Sequence, residues 1–270
     1  MPSSLHLRSL RLALAFWFCA SVGVPPAAAQ SGTSAVPLPY APSPSGDRSV
    51  SLKQLPGNIL DDQKDIWLFP TKLIHGEHWW PTIGIAGVTA GLVASDPHTA
   101  PAFRTTDDFS GYNRVFSGTN TAALIAAVPA TIYAVGWLRN DSVAQDTALL
   151  AGEALADGFL LAIPLKSITA RRQPLTYTGN GPYTDSFFNG SHNPFHSGGF
   201  FSVHSLAAFS VATVIAHRYR QHRWVPIVAY GLAGAIGFSR LTTGNHFPGD
   251  VFFGGAMGFV IARYVVLPVQ

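Results

Sequence analysis

Cysteine is almost absent from this 270-residue sequence, because Cys19 is its only one. Cys19 lies in an apolar stretch near the N-terminus that we expect to be cleaved off. The remaining chain would then carry no thiol. Such a chain forms no disulfide, binds no zinc ion through cysteine and uses no cysteine nucleophile, so several enzyme classes are excluded.

Charged residues are also scarce, at 11% of the chain, whereas apolar residues make up 47%. The formal net charge of +3 at pH 7 is small, and the sequence contains no dense run of lysine and arginine. We therefore expect no nucleic-acid partner. The mean hydropathy of +0.23 lies between that of a soluble enzyme and that of a protein with several membrane spans, and it favours a membrane protein.

The N-terminal part divides into two segments by composition. Arg8 and Arg11 precede the apolar run 12–24, and small residues suited to cleavage follow it. This pattern predicts a signal peptide over residues 1–29, with an uncleaved anchor helix as the alternative. Residues 30–58 are rich in serine, proline and glycine, a composition that predicts a flexible linker.

The rest of the chain, residues 59–270, predicts one all-α domain. Six apolar segments rich in small residues follow one another, and no alternating pattern typical of strands occurs. They are residues 82–95, 121–138, 147–165, 203–216, 225–238 and 251–267. We expect a six-helix bundle embedded in a membrane, with a soluble bundle as the alternative because several segments are short for a span. No pattern indicates an oligomeric state.

Two stretches between these segments stand out. Residues 60–80 mix charged side chains with four large aromatic ones, which predicts an amphipathic helix at a membrane interface or a simple surface helix. Residues 174–199 form a long polar connection rich in glycine, asparagine and serine. Loops of this length are commonly functional or disordered.

The strongest motif spans residues 239–250, between the last two apolar segments. Pro248 suits the first position of a helix, which would bring Asp250 near His246. There a carboxylate can hold one imidazole nitrogen and leave the other free to attack, although such a pair is also a common structural hydrogen bond. Arg240, at the end of the preceding segment, can bind phosphate oxygens through two parallel hydrogen bonds.

A second motif, Ser202-Val203-His204, begins the fourth apolar segment. The Ser202 hydroxyl and the first free amides of that helix, including that of Val203, can point at an anion. His204 is then placed to protonate a leaving oxygen.

A third cluster ends the preceding helical segment. Lys166 is followed by Arg171, Arg172, Gln173 and Pro174. These cationic groups can face an anion at the same helix ends, or they can form a basic turn that faces solvent or lipid headgroups.

In chain order, the three clusters resemble the motifs of the type 2 phosphatidic acid phosphatase and vanadium haloperoxidase superfamily: Lys-x6-Arg-Pro, Pro-Ser-Gly-His and Ser-Arg-x5-His-x3-Asp. The last motif matches at every fixed position from Ser239 to Asp250. The first has Gln173 in place of its arginine, and the second has Phe201 and Val203 in place of proline and glycine.

The resemblance implies a helical bundle with its site at the helix ends. His246 would be the nucleophile that forms a phosphohistidine, Asp250 its orienting partner, and His204 the general acid that later activates water. The expected phosphate-binding residues, with Arg172 beside the missing arginine, are Lys166, Ser202, Val203, Arg240, Arg172 and Gln173. Fixed donors of this kind stabilise transition-state charge, so no metal ion or other cofactor is expected.

We therefore expect a metal-independent phosphohydrolase acting on a lipid phosphate, a lipid pyrophosphate or another small phosphoester. The signal peptide predicts an inner-membrane protein whose site faces the periplasm. Three alternatives remain: a soluble periplasmic acid phosphatase, a haloperoxidase with vanadate as cofactor, and a catalytically silent membrane or binding relative. Gln173 counts against the haloperoxidase, while Gln173 and Val203 both favour the silent relative.

Overall fold

The structure of the protein is a computed structural model, which describes residues 48, 50–104, 108–179, 181–195 and 199–267. The predicted signal peptide and most of the predicted linker lie outside these residues.

Eight α-helices follow one another in the described part of the chain, which contains no β-strand. They are α1 (Leu55–Ile74), α2 (Trp79–Arg104), α3 (Ser110–Val115), α4 (Gly118–Arg139), α5 (Ser142–Thr169), α6 (Val203–Arg218), α7 (Trp224–Thr242) and α8 (Pro248–Val260). A π-helical turn, Ile261–Val266, continues α8, and a 3₁₀ turn, Pro174–Thr176, follows α5. The prediction of an all-α chain is confirmed.

The six predicted apolar segments lie in α2, α4, α5, α6, α7 and α8 with its π-helical turn. Two further helices, α1 and α3, come from stretches that are too polar to stand out as apolar runs. α1 begins at Leu55, four residues inside the predicted linker, because a proline in its first turn suits a helix start.

α6 is the central helix of the bundle. It packs against α5, α7 and α8, while α4 and α1 pack on α5 and α2 packs on α8. Twelve of its 16 residues are buried, which an outer helix with one apolar face would not allow. The residues at its first turn are therefore held in place from several sides.

Two acidic residues of the apolar helix α5 face α1. Glu153 pairs with Arg48, which also binds Asp62 of α1 at 2.7 Å. Asp157 accepts a hydrogen bond from Gln63 at 2.9 Å. Buried charges require such partners, so these contacts fix α1 against α5 and keep both acids away from the outer surface.

Four of the described helices are long and apolar enough to cross a membrane, judged by length and composition. They are α4, α5 with the turn after it, α7, and α8 with its π-helical turn. Between 22% and 50% of the most apolar stretch of each is buried inside the bundle. Much of their apolar surface therefore faces outward, as contact with lipid requires.

Glycines bring α8 unusually close to α6. A β-carbon at Gly254 would overlap the carbonyl oxygen of Ser202, and one at Gly258 would overlap that of Leu206. Because these neighbours are backbone atoms, they cannot move aside as the end of a flexible side chain can. The contact therefore depends on the absence of side chains at both positions.

We predict that Gly258→Ala destabilises the protein by about 1–3 kcal/mol, because the added methyl group forces α8 away from α6. Gly231→Ala on α7 is the matched control, since a β-carbon there meets nothing within 4 Å. The measurement is thermal unfolding of the purified protein in detergent. Equal unfolding temperatures for the two variants would contradict this account of the α6–α8 contact.

Candidate active site

A cavity of about 540 Å3 lies where helix ends converge. The last turns of α5 and α7, the first turn of α6 and the segment before α8 contribute residues to its lining. The described residues that line it are Gly118, Phe159, Ala162, Ile163, Lys166, Pro194, Phe195, Val203, His204, Arg240, Asn245 and His246. Cationic groups thus share the cavity with apolar side chains, among them Phe159 and Ile163, which we call the apolar wall.

The short turn between α7 and α8 fixes the backbone of His246. The N–H groups of Asn245 and His246 both donate to the carbonyl oxygen of Arg240 at 3.1 Å. Gly244, with a φ of +68°, permits this tight turn. α8 then begins at Pro248, so His246 is held between two helix ends rather than on a free loop.

Asp250 lies in the first turn of α8 directly beside His246. Its Oδ2 is 3.6 Å from His246 Nδ1 and accepts the backbone N–H of Phe247 at 3.0 Å. The first distance is longer than a hydrogen bond, but such catalytic contacts often tighten when a ligand binds. A proton on Nδ1 would face Asp250 and leave the lone pair of Nε2 free for the cavity.

His204 lies on the opposite side of the cavity, in the first turn of α6. Its Nε2 is 3.2 Å from the carbonyl oxygen of Gly118, which can only accept, so Nε2 carries the proton of the neutral ring. Nδ1 is therefore the nitrogen that can take up a further proton.

Burial favours the neutral form of both histidines. Burial, and after it the positive charge of Arg240, lowers the pKa of His204 to about 4. Burial also lowers the pKa of His246, although Asp250 opposes this shift. An anion in the cavity would raise both pKa values and favour protonation.

Lys166 and Arg240 are the cationic groups among the described lining residues. Lys166 is buried, and a β-carbon at Gly199 would lie 3.2 Å from its Cε, so the glycine leaves room for the lysine stem. Arg240 donates to Ser239 Oγ through Nε at 3.0 Å and through Nη2 at 2.8 Å, and Nη2 also donates to the carbonyl oxygen of Phe116. Two fixed cations favour an anionic ligand.

Within the described ranges, no group of three or more histidine, aspartate or glutamate side chains is arranged to hold a metal ion.

Ser202 is the N-cap of α6 and not a lining residue. Its Oγ accepts hydrogen bonds from the backbone N–H of Ser205 at 3.3 Å and from the Ser205 hydroxyl at 3.0 Å. Its own N–H donates to the carbonyl oxygen of Asp250 at 3.0 Å. The structure thus gives Ser202 a positioning contact, while Val203 and His204, the residues after it, reach the cavity.

Arg172 and Gln173, predicted to bind phosphate, are not among the described lining residues. Arg172 packs on the Tyr177 ring, with 4.2 Å from Cζ to the ring centroid, and Gln173 is buried at the start of the 3₁₀ turn. The reason is local: Ala170, the residue after α5, has a φ of +36°, and Gln173 is extended. The side chains after Ala170 therefore no longer follow the face of the helix that carries Lys166.

Two features of the site were missed by the sequence analysis. Asp250 Oδ1 accepts a hydrogen bond from Arg171 Nη1 at 2.5 Å, and Arg171 also pairs with Asp96 of α2. The apolar wall was missed as well, although Phe159 and Ile163 precede Lys166 by seven and three residues, a spacing that places them on the same face of α5. An acid at position 96, directly after an apolar segment, was the available signal for Asp96.

Residues 147–270 match the family model described as the PAP2 superfamily. No curated protein matches the chain. Among solved structures, the chain is similar to the "first transmembrane PAP2 type phosphatidylglycerolphosphate phosphatase" from Bacillus subtilis, at 20% identity and a TM-score of 0.46. That similarity covers 68% of this chain and 92% of the other.

The matched residues contain all three motifs that carried the predicted resemblance. They also contain every residue predicted for the site, from Lys166 to Asp250. The resemblance is confirmed over residues 147–270, which match the family model of the PAP2 superfamily.

Proposed function

We propose that this protein is a membrane phosphatase that removes phosphate from a lipid phosphate or lipid pyrophosphate through a phosphohistidine at His246, without a metal ion. The match of residues 147–270 to the PAP2 superfamily supports phosphatase activity in general. The finer proposal is carried by one observation: two histidines, a lysine and an arginine share a cavity with an apolar wall.

In the first step, Lys166 and Arg240 hold the phosphoryl oxygens and neutralise their charge. His246 Nε2 attacks phosphorus, the N–P bond forms, and the bond from phosphorus to the leaving oxygen breaks. Asp250 stabilises the positive charge that develops on the His246 ring. His204, protonated once the anion has bound, gives that proton to the leaving oxygen, so the alcohol or phosphate departs with its oxygen protonated.

In the second step, His204 accepts a proton from water, and the resulting hydroxide attacks phosphorus. The N–P bond breaks, inorganic phosphate leaves, and His246 returns to its neutral state. Fixed cations contribute to both steps, since removing one such donor typically costs about 3 kcal/mol of transition-state stabilisation.

The apolar wall supports a lipid substrate. Phe159 and Ile163 lie on α5, one of the helices able to cross a membrane, and both remain partly exposed. A phosphate group held near Lys166 would leave its hydrocarbon chain along this face of α5. With the predicted signal peptide, the cavity end of the helices would face the periplasm, and labelling of that end from the cytoplasm would contradict this orientation.

The first prediction concerns the reaction itself. In detergent and EDTA, the purified protein should release phosphate from phosphatidate, undecaprenyl pyrophosphate or p-nitrophenyl phosphate. His246→Ala should lower kcat by at least about 1000-fold, because it removes the nucleophile. Unfolding temperatures of the two proteins provide the control for folding. Activity that needs a metal ion, or that survives in the variant, would refute the phosphohistidine mechanism, and a folded but inactive wild type would favour a silent relative.

The second prediction separates a lipid substrate from a small soluble one. Ile163→Asn should lower kcat/KM for phosphatidate by about 10-fold or more, because the apolar wall loses contact with the chain. The same substitution should change kcat/KM for p-nitrophenyl phosphate less than about twofold. Ile227→Asn, on an exposed face of α7 outside the cavity, is the matched control. Equal losses on both substrates would instead favour an acid phosphatase of soluble esters.

The third prediction concerns the proton on His204. Since the pKa of His204 is about 4 in the free cavity, an arriving anion must raise it for His204 to act as an acid. Sulfate, whose charge stays constant near neutral pH, should therefore bind with proton uptake and more weakly as pH rises. The affinity should fall by up to about tenfold per pH unit until the raised pKa is passed.

Calorimetric titration with sulfate in two buffers of different ionisation enthalpy measures this uptake directly. His204→Gln should reduce the number of protons taken up. If the wild type takes up no proton, or the variant takes up as many, His204 is not the acid.

A further inference from the structure

A buried arginine that binds Asp250 has no part in the proposed mechanism. Arg171 follows the end of α5 and is only 2% exposed. It does not line the cavity in the described part of the chain. A buried guanidinium needs compensating partners, so the contacts of Arg171 indicate what it holds.

Every side of this guanidinium is occupied. Nη1 donates to Asp250 Oδ1 at 2.5 Å, Nη2 pairs with Asp96, and Nε donates to Ser186 Oγ at 3.0 Å. The rings of Phe187 and Phe247 lie on it, each with its centroid 4.4 Å from Cζ. The arginine is therefore held rigidly.

We propose that Arg171, itself held by Asp96, is a positioning residue that fixes the carboxylate of Asp250 and through it the imidazole of His246. The proposal rests on the proposed function, because it assigns a role in the same reaction. It also gives the site a residue from α2, which lies outside the part of the chain that matches the family model.

The division of the two Asp250 oxygens supports this role. Oδ1 is occupied by Arg171, whereas Oδ2 accepts from Phe247 N–H and faces His246 Nδ1. A carboxylate bound on one oxygen only could rotate and present either oxygen, or neither, to the histidine. With Arg171 in place, Oδ2 is the oxygen that remains for His246.

The charges are also consistent with this role. Burial raises the pKa of Asp96 to about 6, and Arg171 opposes the shift, which favours the ionised form of Asp96 at pH 7. Two carboxylates and one guanidinium then leave a net negative charge below His246, which suits a ring that becomes positive when it attacks. On the cavity side His246 faces Lys166 of α5, His204 of α6 and Arg240 of α7, which oppose that positive charge.

The same contacts explain why Arg171 does not replace the arginine missing at Gln173. Its forked side chain is already bound by two carboxylates, and its ring partners block rotation toward the cavity. The phosphoryl oxygens are left to Lys166 and Arg240.

A double-mutant cycle on the full chain in detergent tests the proposal. Arg171→Lys should lower kcat on p-nitrophenyl phosphate by about 10-fold or more, with KM changed less than about threefold. In an Asp250→Asn background the same substitution should cost less than about twofold, because Arg171 acts through Asp250. Asp96→Asn, which keeps the size of the side chain, should likewise lower kcat and provides the test if Arg171→Lys does not fold.

Arg218→Lys is the matched control. Arg218 is also buried, but it lies at the opposite end of α6, where it donates to Thr147. The Arg218→Lys variant should have kcat and KM values within about twofold of those of the wild type.

A second measurement does not depend on activity: the pH dependence of His246 modification by diethyl pyrocarbonate, followed by mass spectrometry. Arg171→Lys keeps the charge but releases Asp250, which then stabilises the protonated ring less. The midpoint for His246 should therefore fall by at least about half a pH unit in this variant and stay unchanged in Arg218→Lys.

Four results would overturn the proposal: a raised KM with unchanged kcat, equal losses in both backgrounds, an unchanged His246 midpoint, or equal effects of Arg218→Lys. A wild type that releases no phosphate would refute the proposed function instead. The His246 midpoint would still decide whether Arg171 positions the histidine.

Discussion

The site depends on how closely α8 packs against α6. Gly254 and Gly258 carry no side chain where backbone carbonyls of α6 approach, and the Ser202 N–H reaches the carbonyl oxygen of Asp250 at 3.0 Å. This contact sets the first turns of both helices side by side. Because His204 lies in one of these turns and His246 just before the other, the contact brings the two histidines to one cavity.

The direction of the helices determines which charges the cavity favours. α6 and α8 begin at the site, so their free N–H groups and positive dipole ends point toward it. α5 and α7 end there, and their last turns carry Lys166 and Arg240, where a cation is stabilised by the negative dipole end. Both cations are buried in an apolar bundle, which strengthens their attraction for an anion.

Local sequence patterns were sufficient to predict much of this arrangement. Apolar runs predicted six helices, and Pro248 with Asp250 predicted the start of α8, since both depend on residues close in sequence. The contact between Arg171 and Asp96 could not be predicted, because it joins residues 75 positions apart. The direction of the Arg172 side chain could not be predicted either, because it depends on the left-handed conformation of Ala170 and the extended conformation of Gln173.

The change from arginine to Gln173 is less damaging in this geometry than the sequence suggested. Gln173 does not reach the described cavity wall, whereas Lys166 and Arg240 do, and their two positive charges equal the charge of a phosphate monoester dianion. A third guanidinium would add a positive charge that has no counterion until an anion binds. In the proposed mechanism, His204 provides a third positive charge only after an anion has raised its pKa, so the extra charge would be present when the leaving oxygen needs a proton.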